Sequence, residues 1–282
     1  MGVNLESGSL RRRFQRESAS GWNRSPADLA VDHPVRIYTL GRFGVQVSGN
    51  ALIHKQSRQQ RPLELLQALI AFGGRDVGVE LLCQALWPDA EGDLAKNTFD
   101  VTLHRLRRLF DTGDLFLLRD HRLTLNSQLA WVDAWLFERL VNHAERLLPR
   151  AGEPLIIRQL GRVSERLMTL YQGNFLERES ANAWSLTLRE RLRSKLLRHI
   201  LDHGQIWERL GEWERAIRFY RKGLEIDPLT EALYQRLIIC YRELGHRGDA
   251  LAMYHRCEKI LATQFRIEPS PTTRALYASL KP

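Results

Sequence analysis

The sequence predicts a mainly α-helical protein of two domains, a mixed α+β domain followed by an all-α domain. Segments in which apolar and polar residues alternate, as in half-buried strands, occur at residues 35–47 and 116–125. Apolar residues at helical spacing fill the stretch between them and the chain after residue 131, where a pattern recurs every 34 residues. The length of 282 residues also favours two cores over one. The predicted divisions are a polar leader at 1–34, the mixed domain at 35–130 and the helical domain at 131–282.

The N-terminal part of the chain predicts a leader followed by a small antiparallel sheet. The leader is rich in Ser and Arg and contains "RRRFQR" at 11–16. It is expected to be flexible, with its arginines either solvated or touching phosphates non-specifically. The segments "VRIYTL" and "FGVQV" then alternate apolar and polar residues on either side of Gly41-Arg42, and Gly49-Asn50 precedes a further apolar piece, "ALI". These features predict the sheet.

Three helices and a hairpin are predicted next. "RPLELLQALIAFGG" has leucines at helical spacing, Pro62 in its first turn and Gly73-Gly74 at its end, and "VELLCQALW" (Val79–Trp87) is a second, shorter helix. In "NTFDVTLHRLRRLF" (Asn97–Phe110) four apolar residues fall at i, i+4, i+7 and i+11, on one face of a third helix. "FLLRDHRLTL" predicts two strands around Asp120-His121. A sheet, three helices and a hairpin in this order describe a winged helix–turn–helix.

The helical domain contains a repeat of 34 residues. The repeated positions are Leu210-Gly211, Ala216 and Tyr220, which recur as Leu244-Gly245, Ala250 and Tyr254, with Trp207 matched by Tyr241. This period, with a small residue and then an aromatic one in the second helix, is typical of tetratricopeptide repeats. The pattern is visible twice, fewer than the three repeats usually needed, so the upstream helices are expected to supply the remaining packing surface.

The third helix carries side chains that suit duplex DNA on the side opposite its apolar stripe. Arginine can bond bidentately to guanine, asparagine can pair with adenine, and threonine and valine methyl groups can meet thymine methyls. The candidates are Lys96, Asn97, Thr98, Val101, Thr102, Arg105 and Arg108. A basic helix taken alone is more typical of a solvated surface, but its position as the third helix before a hairpin favours DNA binding.

The hairpin residues Arg119, His121 and Arg122 are the candidate wing, at or beside the minor groove. The alternative is that these charges keep an edge hairpin soluble. Net charge alone does not decide between these two interpretations. The whole chain carries a net charge of +9, but residues 35–131 contain 12 basic and 10 acidic residues. The placement of the arginines therefore carries the DNA hypothesis.

Other classes of function find little support in the sequence. No apolar run approaches the length of a membrane span and no signal peptide is recognised, so the chain is expected to be cytoplasmic. Cys83, Cys240 and Cys257 are far apart and match no metal-ligand spacing, so they are expected to be buried structural thiols. No nucleotide-binding, metalloprotease or hydrolase motif is found. We therefore expect no enzyme, no cofactor and no metal site.

The motifs together resemble a known family of bacterial regulators. "YTLGRFGV", "LLQALIAFGGRDV", "QALWPDAEGD" and "FDVTLHRLRRLF" are similar to the OmpR-type winged-helix DNA-binding domain, over residues 35–126. "WVDAWLFERL", "YQGNFLE", "RERLRSKLLRHIL", "YRKGLEIDPLTEALYQRLIICY" and "IEPSPTTRALYASL" resemble the bacterial transcriptional activation domain (BTAD), over residues 132–280. In combination they resemble the SARP-type regulators. The fold class implied is an OmpR-like winged helix followed by an all-α, tetratricopeptide-like domain.

The resemblance also implies roles for particular residues. The residues that would contact bases and phosphates are Asn97, Thr98, Val101, Thr102 and Arg105, and Arg107 or Arg108 would lie nearer the DNA backbone. The family often has arginine at the position of Asn97. This difference implies that the chain prefers a different DNA sequence. The loop Pro88–Leu94 would meet RNA polymerase, on its sigma or alpha subunit, through three acids. These are Asp89, Glu91 and Asp93. A solvated linker is the alternative for this loop.

The resulting hypothesis is a sequence-specific transcriptional activator that binds promoter DNA. The resemblance implies that it binds direct repeats as a homodimer. It would be found on the nucleoid and would have no membrane partner. No receiver domain or ATPase module is recognised, so the chain is expected to be a stand-alone regulator or part of a longer one. A rival hypothesis is a tetratricopeptide-type scaffold whose winged helix docks protein. A third places a small ligand near Trp207, Tyr220 and Tyr241, although such aromatics are more typical of repeat packing.

Overall fold

The computed structural model describes residues 33–52, 60–90, 92–179 and 182–280. The predicted leader, apart from its last two residues, lies outside these ranges, and so does Glu91. The strands are β1 (Val35–Tyr38), β2 (Gly44–Val47), β3 (Asn50–Ala51), β4 (Val77–Gly78), β5 (Phe116–Arg119), β6 (Arg122–Leu125) and β7 (Ala130–Val132). The helices are α1 (Gln60–Ala71), α2 (Val79–Leu86), α3 (Gly92–Phe110), α4 (Asp133–Leu147), α5 (Pro154–Leu170), α6 (Ala183–Arg209), α7 (Trp213–Ile226), α8 (Glu231–Glu243), α9 (Arg247–Phe265) and α10 (Pro271–Ala278). The predicted mainly α fold class is confirmed.

The chain forms two compact units. The first holds the described residues up to Arg139 together with Glu165–Leu192, and the second holds Leu140–Ser164 together with the described residues from Arg193 onward. The domain division at residue 130 stays a prediction.

The first sheet of the first unit has the strand order β3-β2-β1-β7. The antiparallel pairing of β1 with β2 and of β2 with β3 confirms the predicted N-terminal sheet. Strand β7 was not predicted; it pairs in parallel with β1, with Val35 opposite Ala130 and Ile37 opposite Val132. The sheet therefore joins the beginning of the predicted winged helix to residues that follow it by more than ninety positions.

The second sheet is the wing. Strands β5 and β6 form the predicted hairpin, and β4 pairs antiparallel with β6, which makes three strands. Both turn residues, Asp120 and His121, have positive φ angles of 46° and 56°. A two-residue turn that matches the twist of a hairpin needs positive φ at both positions, and aspartate tolerates it better than most residues.

The end of β1 is held by a single buried carboxylate. Asp133, at the start of α4, is 2% exposed. Its two oxygens accept hydrogen bonds from the backbone N–H of Thr39 at 2.7 and 2.8 Å, from the Thr39 hydroxyl at 2.6 Å and from the Leu40 N–H at 2.9 Å. Burial raises the pKa of the Asp133 carboxyl, and the hydrogen bonds from Thr39, Leu40 and Ala134 oppose that shift.

The other side of this segment is bonded to the "GNFLE" motif. Gly41 N–H donates to the carbonyl of Asn174 at 2.9 Å, and Leu176 N–H donates to the carbonyl of Thr39 at 2.8 Å. Gly41 has a φ of 98°, and a Cβ there would lie 3.1 Å from the backbone of Gln172. Both the backbone conformation and this close approach require glycine.

In the second unit, helices α7 to α9 confirm the predicted repeat. Gly211 and Gly245 take positive φ angles of 73° and 72° at the turns that precede α7 and α9. Ala216 and Ala250 are fully buried, as small residues between closely packed helices should be. The ring of Tyr220 fills the space that a side chain at Gly204 would occupy. The three cysteines of the chain are free and buried, as expected.

The second unit also buries a histidine pair that the sequence did not indicate. His199 and His203 lie one turn apart on α6, and Ser164 of α5 hydrogen-bonds to Nε2 of His199 at 2.8 Å and to Nδ1 of His203. The His203 ring packs against Trp207 and edge-on against Phe219. Burial lowers the pKa of His199 to about 4, and burial together with the charge of His199 lowers that of His203 to about 3.

We predict that Asp133→Ala lowers the free energy of unfolding by about 3 kcal/mol or more. The substitution removes the acceptor of three backbone N–H groups, those of Thr39, Leu40 and Ala134, and of the Thr39 hydroxyl, and a buried donor left unsatisfied costs about 1–3 kcal/mol. Asp133→Asn keeps one oxygen acceptor and should cost less. Urea unfolding of the three proteins measures this, and an alanine variant within 1 kcal/mol of the parent would contradict the role given to the carboxylate.

We also predict that the second unit loses stability as pH falls from about 6.5 toward 4. Over that range the unfolded chain binds protons at both histidines while the folded chain binds few, so unfolding is favoured. At pH 5 the loss should be about 2 kcal/mol for each histidine. Urea unfolding at pH 7 and pH 5 should show roughly half this pH effect in His203→Phe. An unchanged pH effect in His203→Phe would contradict the prediction. The matched control is His246→Gln, at a histidine on the surface.

Candidate nucleic-acid interface

Helix α3 has one buried side and one exposed side. The buried side consists of Ala95, Phe99, Thr102, Leu103, Leu106 and Phe110. The predicted inward positions are therefore confirmed, but the expectation that Thr102 faces outward is wrong, since its side chain is only 6% exposed. Thr102 directly precedes Leu103 on the edge of the buried stripe, where the neighbouring elements cover it. Thr102 is therefore not part of the exposed side of α3.

The centre of the exposed side is a stripe of four residues. Asn97, Val101, His104 and Arg108 stand at i, i+4, i+7 and i+11, and all four are exposed. This spacing keeps side chains on one face of an α-helix. Val101 is 51% exposed, and several other large hydrophobic side chains of the described residues are exposed as well. We call these four residues the outer stripe.

Charged and polar side chains flank the outer stripe. Lys96 and Arg105 are exposed on its two sides, and Asp100 is exposed beside Val101. The Thr98 hydroxyl is turned to its own helix, where it donates to the carbonyl of Leu94 at 2.8 Å. Sequence reasoning missed His104 as a member of the face and Asp100 as its neighbour. Counting the helical positions outward from the buried side would have found both.

Helix α3 and the wing are joined by side-chain contacts. A guanidinium N–H of Arg107 donates to the carbonyl of Phe116 at 2.9 Å. The rings of Phe110 and Phe116 meet edge to face, with centroids 5.4 Å apart. Arg107 is predicted to lie near the DNA backbone. At least one of its N–H groups is hydrogen-bonded to β5.

The wing residues Arg119, His121 and Arg122 are all exposed. Arg119 and Arg122 lie directly opposite each other in the β5–β6 register, so their side chains leave the same face of the sheet. A guanidinium N–H of Arg122 donates to the carbonyl of Asp76 at 2.9 Å. His121 lies at the tip of the hairpin.

The loop between α2 and α3 is shorter than expected. Helix α3 begins at Gly92, so Asp93 lies in its first turn and not in a loop. Asp89 and Asp93 are exposed, whereas Glu91 lies outside the described residues. Leu94 follows Asp93 and is 65% exposed, which the sequence gave no reason to expect. The described part of this loop and the first turn of α3 therefore present two exposed acids and one exposed apolar side chain.

Two further findings concern the part of the chain that the structure describes. No helix within it is both long and apolar enough to cross a membrane. No group of three or more His, Cys, Asp or Glu side chains within it could hold a metal ion.

Comparison with known proteins identifies the family. The bacterial transcriptional activator domain matches residues 132–281, more than half of the chain. The chain belongs to this family. The resemblance to SARP-type regulators is confirmed by two similar proteins: the regulatory protein AfsR of Streptomyces griseus, 24% identical over 88% of this chain, and the transcriptional regulatory protein MoaR1 of Mycobacterium tuberculosis, 23% identical over 86%.

The coverage of these relatives differs. The match spans 78% of MoaR1 but only 24% of AfsR. Among solved structures, EmbR of Mycobacterium tuberculosis, in complex with a low-affinity phosphopeptide, aligns with a TM-score of 0.67 and 20% identity over 88% of this chain and 65% of EmbR. This likeness is one of fold, and it supports the fold class of a BTAD protein.

We predict that Arg107→Ala lowers the stability of the protein and that Arg108→Ala does not. Loss of the bond from Arg107 to Phe116 should lower the free energy of unfolding by about 1 kcal/mol. Arg108 is in the outer stripe, and its removal should leave stability unchanged within 0.5 kcal/mol or so, as for ordinary surface sites. Equal stability of both variants in urea unfolding would remove the structural role of Arg107.

Proposed function

We propose that this BTAD protein is a sequence-specific DNA-binding transcriptional regulator that activates transcription by recruiting RNA polymerase. The observation that carries the proposal is the outer stripe: exposed side chains that can read bases, on a helix that is held to a hairpin with exposed arginines. Val101 lies between Asn97 and His104 on this stripe, and its side chain is exposed. In the major groove, its methyl groups would meet those of thymine.

The proposed complex places α3 in the major groove. Asn97 and Val101 would face base edges near the helix N-terminus, and His104 and Arg108 would continue the contact along the groove. Arg105 and Lys96 would approach bases or phosphates from the two sides. Relative to the predicted set, this face lacks Thr102, has the Thr98 hydroxyl bonded to its own helix and gains the imidazole of His104.

Recruitment of polymerase is assigned to the surface at the N-terminal end of α3. Asp89 and Asp93 suit a basic region of a sigma or alpha subunit, and the exposed Leu94 adds an apolar contact of the kind found at the centre of interfaces. A role for Glu91 beside them stays a prediction from the sequence alone. Binding of two copies to direct repeats in promoter DNA, in the cytoplasm, completes the proposal.

A non-enzymatic role is part of the same proposal. The family is one of transcriptional regulators, and the buried Ser164–His199–His203 cluster is closed to solvent. The tetratricopeptide-type scaffold remains the rival function, and it predicts no selective binding of duplex DNA. The aromatics once considered for a ligand groove, Trp207, Tyr220 and Tyr241, are buried in packing between helices.

We predict that purified protein enriches a repeated motif from a random duplex pool. Against that site, Arg105→Ala should weaken binding by roughly 1–3 kcal/mol, the cost of a good base contact. A protein with about six phosphate contacts should lose on the order of a thousandfold in affinity between 50 and 200 mM salt. Titration by fluorescence anisotropy measures both effects.

The controls decide between the two functions. Arg42→Ala removes an exposed arginine between β1 and β2 and should leave affinity unchanged. Unchanged affinity in Arg105→Ala would take that residue out of the reading face. Absence of any enriched motif at either salt concentration would favour the scaffold.

A further inference from the structure

The first sheet has a face that takes no part in the proposed function. The strand register places Arg36 of β1 between Gln46 of β2 and Trp131 of β7, and Tyr38 follows two positions along β1. Residues that are directly opposite or two apart along a strand share a face, and here it is the face turned away from the buried Ile37. Arg36, Tyr38 and Gln46 are half-buried. We call Arg36, Tyr38, Gln46 and Trp131 the aromatic face.

The burial of Trp131 shows that another segment lies over this face. Trp131 is in the last strand of the sheet, so on this face it has a strand neighbour on one side only. The ring of Tyr38 meets its indole edge-on, with centroids 5.4 Å apart, and β2 adds no side chain over the Tyr38 ring because the opposite residue is Gly44. These neighbours alone do not enclose an indole, yet Trp131 is only 3% exposed. A segment from outside the sheet therefore covers it.

The covering segment is expected to offer a hydrogen-bond acceptor. Nε1 of Trp131 is buried and has no hydrogen-bond partner among the residues that the structure describes. Buried indole N–H groups usually donate to an acceptor. A backbone carbonyl of the covering segment would meet this need.

The end of the leader is within reach of the aromatic face. The carbonyl of Pro34 accepts from Ser48 N–H at 2.7 Å, and Val35 N–H donates to the carbonyl of Leu129 at 3.1 Å. These bonds fix the chain to the sheet from residue 34 onward. An extended chain spans at most about 3.5 Å for each residue, so Val31 lies within about 14 Å of Val35, about three strand spacings.

The sequence just before this point suits the aromatic face. Residues 25–32 begin with Ser-Pro, which are typical of the N-cap and the first position of a helix. Leu29 adds a large apolar side chain, and Asp28 and Asp32 stand four positions apart. Because residues four apart share one face of a helix, both carboxylates can approach the guanidinium of Arg36.

We propose that residues 25–32 of the leader lie on the aromatic face of their own chain. Leu29 packs against the Tyr38 ring, the two carboxylates face Arg36, and a backbone carbonyl accepts from Nε1 of Trp131. The chain's own leader is favoured over another molecule because its end is already bonded to the sheet, so docking carries no cost of association. This inference does not rest on the proposed DNA-binding function, and it limits the expected flexible part of the leader to the residues before this segment.

Hydrogen exchange of the full chain, followed by mass spectrometry, tests the contact. The amide groups of residues 26–32 should exchange at least about tenfold more slowly than in a synthetic peptide of residues 22–33, the effect of burying one large apolar side chain. Leu29→Ala, and Tyr38→Ala on the sheet, should bring the exchange back to that of the peptide. The matched control is Leu10→Ala, which changes the leader outside the segment and should leave the protection as it is.

A photo-cross-linking amino acid in place of Ala30 identifies what the segment touches. In an equal mixture of isotope-labelled and unlabelled protein, we expect cross-links from this position to β1, β2 or β7 within one chain.

Three results would overturn the proposal. The first is exchange of residues 26–32 as fast as in the peptide, or protection that persists in Leu29→Ala. The second is a set of cross-links that lead only to other parts of the chain. The third is cross-links that join labelled to unlabelled chains, which would make a second copy the occupant of the aromatic face.

Discussion

The carboxylate of Asp133 is the contact on which the first unit depends. It brings the N–H groups at the end of β1 to the start of α4, and the parallel pairing of β7 with β1 ends at the residue just before it. The backbone of Asn174 and Leu176 bonds to the opposite side of the same short segment. Residues more than ninety positions apart thus meet at Thr39–Gly41, where a carboxylate can satisfy several backbone donors at once. A carboxylate buried for this purpose is costly unless all its oxygens are bonded, and here they are.

The sequence predicted the elements of the fold well and their long-range pairing poorly. Alternation and helical spacing are local signals, and they located the hairpin, α1, α2 and the repeat helices. Strands β4 and β7 are two and three residues long and show no alternation of their own, so only pairing with distant strands defines them. The start of α3 was also missed. Glycine and aspartate are typical of loops, but at Gly92-Asp93 an aspartate in the first turn interacts favourably with the helix dipole.

The candidate site shows the same division between local and tertiary information. Four apolar residues fix which side of α3 is buried, and that was predicted correctly. The width of the buried stripe depends on what packs against it, so Thr102, at its edge, was placed on the wrong side. His104 was not among the predicted outward residues, although it lies opposite the centre of the apolar stripe.

Charge placement matters more in this unit than total charge. Residues 35–131 are almost balanced in basic and acidic residues, which alone would argue against nucleic acid. Of the exposed acids, Asp89 precedes α3 and Asp93 lies in its first turn, whereas Asp100 and Asp120 lie beside the outward arginines of α3 and the wing. Beside the wing, Asp76 is engaged by Thr124 and Arg75. Because exposed charges more than about 10 Å apart are largely screened at physiological salt, a duplex would respond to the arginines of α3 and the wing and hardly to the acids elsewhere. The near balance of charge over residues 35–131 therefore does not decide what a duplex would meet on α3, because that depends on the few arginines and acids that lie on the same exposed surface.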